Sequence, residues 1–148
     1  VAALGRPALE KLASRPHRKK VTLSWNSDDV IRIFATLFQA GERAKYMDIP
    51  ASHYATLPYD AVLKDGKLVG ISTYPTYNSN GREWISLAMV DENLSATGTD
   101  VSVLWGEKDG GSLKPAVERH VQTEVRTTVG PSPYSELARA GYRPYVLR

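Results

Sequence analysis

Two turn dipeptides, Asp65-Gly66 and Asn80-Gly81, each sit between runs of alternating apolar and polar residues, and they constrain the fold most strongly. Asp-Gly and Asn-Gly accept the positive φ angles that tight hairpin turns demand. The first is flanked by Ala61-Val62-Leu63 and Leu68-Val69-Gly70-Ile71, which predicts a two-residue hairpin. The second separates residues 71–77 from 83–90 and extends the meander. Residues 99–105 alternate again, with Val101, Val103 and Trp105 facing inward. The longest alternation places Val117, Val121, Thr123, Val125, Thr127 and Val129 on one face, against Glu118, His120, Gln122, Glu124 and Arg126 on the other. A face of β-branched residues suits a half-buried strand. Val21-Thr22-Leu23-Ser24-Trp25 adds another. The expected class is mainly β with flanking helices (α+β). The expected architecture is a small antiparallel β-barrel of about six strands, with a sandwich as the alternative.

Helical signals are confined to the first third. Pro7 suits a first helical turn, and Leu9 and Leu12 share a face that needs something to pack on, because so short a helix is marginal alone. Arg15-Pro16-His17-Arg18-Lys19-Lys20 reads as a basic linker. The domain division expected is therefore residues 1–20, a helix and linker from a preceding domain, and residues 21–148, the β-domain. Ser27-Asp28-Asp29 starts a second helix with acids at the positive end of its dipole. Val30, Ile31, Phe34, Leu37 and Phe38 form its predicted apolar stripe, ending at Gly41. Residues 42–59 follow neither period and are expected to be irregular but ordered. Pro131-Ser132-Pro133 stops the last strand.

Composition excludes several chemistries. The chain has no cysteine, which removes disulfides, thiolate zinc sites, iron–sulfur ligation and a cysteine nucleophile. Its 148 residues carry 19 Lys+Arg against 16 Asp+Glu, a net charge of only +3, so nucleic acid is not the expected partner. No apolar run reaches the roughly 20 residues of a membrane helix. His17, His53 and His120 lack metal-ligand spacing and are expected to be solvated or structural. No Gly-x-Ser-x-Gly elbow is present. The glycines of 106–111 lack the Lys-Ser/Thr of a phosphate loop and read as a mobile hairpin loop. No catalytic residue and no metal site is assigned.

Val62-Leu63-Lys64-Asp65-Gly66-Lys67-Leu68-Val69-Gly70-Ile71-Ser72-Thr73, followed by Ile85-Ser86-Leu87-Ala88-Met89-Val90, resembles the C-terminal barrel of the aminomethyltransferase (glycine-cleavage T-protein) superfamily. Residues 117–129 with Pro131-Ser132-Pro133-Tyr134-Ser135, residues 19–26 and residues 54–60 are similar to its aryl O-demethylase branch, which acts on vanillate- or syringate-type methoxyarenes. The likeness spans most of the chain from about Gly5. It departs at Thr73-Tyr74-Pro75-Thr76-Tyr77-Asn78-Ser79, where the T-protein carries Thr-Ser-Gly-x-x-Ser-Pro, and at Trp105-Gly106, where it carries Arg-Gly. The first departure argues against glycine-cleavage activity itself.

The resemblance implies a cytoplasmic, tetrahydrofolate-dependent methyl-transfer enzyme of three domains. Of these the chain is the C-terminal one, inactive alone, with the N-terminal domains of the parent chain, folate and a methoxyarene methyl donor as partners. The chain opens on Val1, which fits that expectation. In the family a basic residue of the C-terminal tail reaches folate, and Arg143 is its nearest counterpart here, the one cofactor-binding residue assigned. Two alternatives accompany this reading. One is a stand-alone nucleic-acid or protein binding module using residues 15–20, Arg119 and Arg126. The other is the barrel of a folate-dependent aminomethyltransferase or oxidoreductase.

Overall fold

The computed structural model describes residues 5–13, 16–47, 59–111, 115 and 117–141. Six strands close into an antiparallel barrel: β1 (Arg18–Trp25), β2 (Asp60–Lys64), β3 (Lys67–Asn78), β4 (Glu83–Asp91), β5 (Asp100–Trp105) and β6 (Thr123–Gly130), in the order β1-β4-β3-β2-β5-β6. Three short helices flank it, α1 (Arg6–Ala13), α2 (Ser27–Thr36) and α3 (Glu136–Gly141). The expected class and strand number therefore hold, and closure selects the barrel over the sandwich. A closed barrel leaves no unpaired sheet edge.

The barrel interior is full. Val21, Leu23 and Trp25 from β1, Val62 from β2, Ala88 and Val90 from β4, Val101, Val103 and Trp105 from β5, and Val125 and Val129 from β6 are all buried. Trp25 and Trp105 meet edge to face at 5.6 Å between ring centroids. Six strands enclose only enough space for such side chains, so no ligand channel runs through the middle. Within this core, the Trp25 indole N–H donates to Ser86 Oγ at 3.0 Å and Ser72 Oγ donates to the same oxygen at 2.8 Å.

Several local expectations need correction. The β2–β3 hairpin forms as predicted, with Asp65 at φ 51° and Gly66 at φ 72°. The next turn spans residues 79–82, and its positive φ falls on Arg82, not on the glycine. Arg18, Lys19 and Lys20 are not linker: they pair with Asp91, Val90 and Met89 as the first residues of β1. The strand expected from Val117 begins only at Thr123, and Val121 instead bridges to Ala44.

Helix α2 is rotated from its predicted stripe. Asp29 and Ile33 are its buried residues, with Val30 and Phe34 packed on the core, whereas Ile31 and Phe38 are exposed and Leu37 lies past the helix end. The cause is polar. Asn26 caps the helix by accepting from the Asp29 N–H, and the Asp29 carboxylate is pulled inward by Arg126 of β6. Leu9 and Leu12 of α1 are also exposed, so the packing partner expected for that helix is not found among the described residues. No helix of the described residues is long and apolar enough to cross a membrane.

Candidate functional site

Three regions hold the side chains that could carry chemistry. The first is one mouth of the barrel, where β2 begins and β5 ends. A recess of about 730 Å³ opens there, lined among others by Lys45, Tyr59, Asp60, Glu107 and Gln122. Glu107 is central: its Oε1 lies 3.0 Å from the Lys45 ammonium, and its Oε2 lies 3.1 Å from Nε2 of His120. The Lys45 ammonium also sits 5.0 Å from the centre of the Trp105 ring, whose N–H donates to the Lys45 carbonyl.

His120 is fully buried at its side chain, which fits the structural role among the two expected for it, though it does not lie on a strand's polar face. Its Nε2 accepts from the Glu107 N–H at 2.9 Å, and its Nδ1 lies 2.8 Å from the Glu118 carbonyl. Those partners place the ring proton on Nδ1. The glycine-rich stretch is fitted around this ring. Gly106, at φ 102°, would drive a Cβ to 2.9 Å from His120 Cδ2, and Gly110, at φ 65°, would drive one to 2.6 Å from the His120 carbonyl oxygen. Glycine is required there by close approach and by the left-handed backbone together. The expected mobile loop is instead tied down at Gly106, which donates to Asp60 Oδ1, and at Gly110, which accepts from the His120 N–H.

The second region joins α2 to β6. Asp29 Oδ2 accepts from both the backbone N–H and the Nε of Arg126 at 2.9 Å, and Oδ1 accepts from its Nη2 at 2.9 Å. This side-chain pairing, supported by the backbone bond and by Arg32, outweighs burial and holds the Asp29 carboxyl at about 2, below its ordinary 3.8. A carboxylate so tightly paired fixes a helix; it is a poor proton carrier.

The third region is the outer face of β1, β4 and β3, where cross-strand pairing makes a grid. Lys20, Met89 and Ile71 form one row, Thr22, Leu87 and Thr73 the next, and Ser24, Ile85 and Thr76 the third. Tyr134 crosses one side of this grid, its ring close to Gly130, and donates to Glu83 Oε2 at 2.9 Å; Ser24 donates to the same oxygen at 2.7 Å. Burial first and the Glu83 carboxylate second push the Tyr134 phenol upward. Between Tyr134 and Tyr74 lies a recess of about 500 Å³. Tyr74 is held at φ 52° by an irregularity between Thr73 and Thr76, the very segment where the sequence departs from the T-protein pattern.

Among the sequence-assigned residues, Arg143 and His53 lie outside the described residues. His17 is exposed, 3.7 Å from Glu92. The described residues contain no group of three His, Cys, Asp or Glu placed to hold an ion. What the sequence reading missed was the Asp29–Arg126 pair, whose members are 97 residues apart, and the Thr22–Leu87–Thr73 row, which exists only once three strands are in register.

No protein-family model matches the chain. Among curated proteins it is 48% identical over 139 residues, 94% of its length, to a syringate O-demethylase of Sphingobium sp. (strain NBRC 103272 / SYK-6). It is 34% identical over 146 residues, 92% of its length, to a sesamin methylene transferase of Sinomonas sp. (strain No.22). In each case the chain spans about 30% of the relative's length. The chain belongs to the family of these O-demethylase and methylene-transferase proteins, and its closed six-stranded barrel is the fold expected of that family's C-terminal domain.

Proposed function

We propose that the chain is the C-terminal barrel domain of a cytoplasmic, tetrahydrofolate-dependent O-demethylase, acting on a methoxyarene such as syringate, and that it closes one side of the folate cavity without turning over substrate alone. The observation that carries this reading is 48% identity along nearly the whole chain to a protein of which it covers only 30%. Two structural facts support it. The barrel interior is occupied by its own side chains, and at the mouth Lys45 is paired with Glu107.

Those facts also bear on the fit of folate. The described residues do not make a cage for it: their recesses are open, and no buried cationic pair awaits its glutamate carboxylates. They can offer a wall. Tetrahydrofolate supplies the N5 that accepts the one-carbon group in such transfers. The barrel's part is to exclude water from one side and to position its tail. Arg143 is the residue assigned to a folate carboxylate, because a guanidinium pairs with carboxylates bidentately.

The competing reading, a nucleic-acid or protein binding module, loses its main support in the fold. Arg18 lies 3.2 Å from Asp91 and Lys19 lies 2.7 Å from Glu92, while Arg126 is committed to Asp29.

The test is demethylation of syringate or vanillate with tetrahydrofolate, followed by the appearance of the phenol and of methyltetrahydrofolate. The full-length protein is expected to be active and the 148-residue chain inactive; turnover by the chain alone would sink the proposal. In the full-length protein, Arg143→Ala should raise KM for tetrahydrofolate about tenfold or more while leaving kcat nearly unchanged, the loss of a charge-assisted contact made before and during transfer.

A further inference from the structure

We infer that Asn80, in the exposed link between β3 and β4, is a site of self-modification: it closes a succinimide ring with the Gly81 nitrogen and opens to isoaspartate and aspartate. The chain has four asparagines, Asn26, Asn78, Asn80 and Asn93, and the fold leaves this route open at one of them. The inference is independent of the barrel's part in methyl transfer.

The chemistry needs only water as co-reactant. The Gly81 backbone nitrogen gives up its proton and attacks the side-chain carbonyl carbon of Asn80. A bond forms between Cγ and that nitrogen, the bond from Cγ to Nδ2 breaks, and the side-chain nitrogen leaves as ammonia with the proton. Water then opens the five-membered ring at either carbonyl. Opening at Cγ gives aspartate in an ordinary backbone. Opening at the main-chain carbonyl gives isoaspartate, whose backbone runs through Cβ and Cγ. Closure therefore requires an unobstructed, unbonded nitrogen and a backbone free to turn.

Three features meet those needs at Asn80. Residue 81 is glycine, so no side chain stands beside the attacking nitrogen. Its N–H donates to no group among the described residues. Asn80 and Gly81 are both exposed and lie in residues 79–82, outside the ladder that ends at the Asn78–Glu83 pair. A loop outside the ladder turns without breaking a strand-to-strand bond. The other three asparagines are placed differently. Asn26 precedes Ser27, and its side-chain oxygen is held at 3.1 Å by both the Asp29 N–H and Nη2 of Arg126. Asn78 precedes Ser79 and is a ladder residue. Asn93 precedes Leu94 within the tight helical turn Glu92–Leu94.

The product falls beside a carboxylate. A Cβ on Gly81 would collide with Glu83 Oε1, so the Glu83 side chain already fills the space next to the link. The other oxygen of Glu83 accepts from Ser24 and Tyr134. Modification brings a second negative charge into this short segment, and like charges at close range disfavour one another. Isoaspartate also adds one methylene to the main chain that joins two paired strands.

The experiment holds the folded full-length protein in mildly alkaline buffer and digests samples under acidic conditions, which halt the reaction. Fragment-ion mass spectrometry follows Asn26, Asn78, Asn80 and Asn93 separately in the same molecules. The expected result is that Asn80 converts at least tenfold faster than each of the others, with isoaspartate exceeding aspartate. Asn80→Gln, which would have to close a larger ring, should abolish the isoaspartate found at this position. Equal rates at the four asparagines overturn the inference, as does conversion of Asn80 that begins only when urea unfolds the protein. Aspartate without isoaspartate also overturns it, since water would then be cleaving the side-chain amide directly with no ring. Demethylation plays no part in the readout, so failure of the proposed function leaves this test intact.

Discussion

On the outside of β5 and β6, Ser102 donates to Glu124, Thr128 donates to Asp100, and Arg126 is spread over Asp29 and Asn26. On the outside of β1, β4 and β3, two buried threonine hydroxyls have no partner among the described residues, and Leu87 lies between them. The two sides share strand geometry, twist and pairing. They differ in whether the surface is finished. A face that satisfies its own polar groups is stabilised by them, whereas one that buries hydroxyls without partners carries a desolvation cost that the rest of the fold offsets.

The largest effect should come from the finished side. Asp29 is 1% exposed and accepts the backbone and side chain of Arg126, so Asp29→Ala leaves a backbone N–H of β6 without its acceptor and unpins α2. A loss of about 3 kcal/mol is expected, at the low end for a broken buried pair because the Arg126 guanidinium can rehydrate. Urea denaturation of the 148-residue chain measures it. Ser102→Ala on the same face should cost less than about 0.5 kcal/mol, as substitutions near the surface do. If the two cost the same, the polar side is not organised around Asp29.

Acid sharpens the same point. The Asp29 carboxyl is depressed in the folded chain from 3.8 to about 2, so the unfolded chain takes up its proton first. The stability it contributes is complete above about pH 4 and is lost as pH falls through 2. About 2 kcal/mol should disappear over that window, somewhat less than the shift alone implies because the guanidinium is exposed. In Asp29→Asn this component of the acid sensitivity should be absent. A wild-type curve and an Asp29→Asn curve that run parallel from about pH 5 to about pH 2 would remove the pair from the account.

How much of this was legible in the sequence follows from range. The Asp65-Gly66 hairpin and the alternation of 21–25 and 101–105 are local signals, and all three are found where expected. The stripe on α2 was misread because its period is satisfied by more than one face. The choice between them was made by Arg126, 97 residues away in sequence from Asp29. Val117 looked like strand because alternation says nothing about pairing, and Val121 is engaged by Ala44 in place of a ladder. His120 sat on the polar side of that imagined strand and is in truth sealed by Gly106 and Gly110. The Thr22–Leu87–Thr73 row was invisible for the same reason: each residue is ordinary, and only register brings them together.

The core provides the standard against which the unfinished face can be judged. Ser86 accepts from both Trp25 and Ser72, all three buried. Ser86→Ala strands two donors at once and should cost about 2 kcal/mol in the same urea titration. A cost below about 0.5 kcal/mol would mean that buried hydroxyls in this barrel are weakly coupled to stability, and the contrast between the outer faces would lose its energetic meaning.

The smallest effect is the most discriminating, because its sign is at stake. Thr127 donates its buried hydroxyl to the Val101 carbonyl at 3.1 Å, so Thr127→Val should destabilise the chain by about 1 kcal/mol. Thr22→Val and Thr73→Val make the same chemical change on hydroxyls that have no partner among the described residues. There the substitution removes an unsatisfied polar atom and keeps the shape, so it should leave stability unchanged or raise it by up to about 1 kcal/mol in the chain alone. A loss of about 1 kcal/mol in either variant would mean that its hydroxyl is satisfied in the folded chain, and the contrast between the two outer faces would fail.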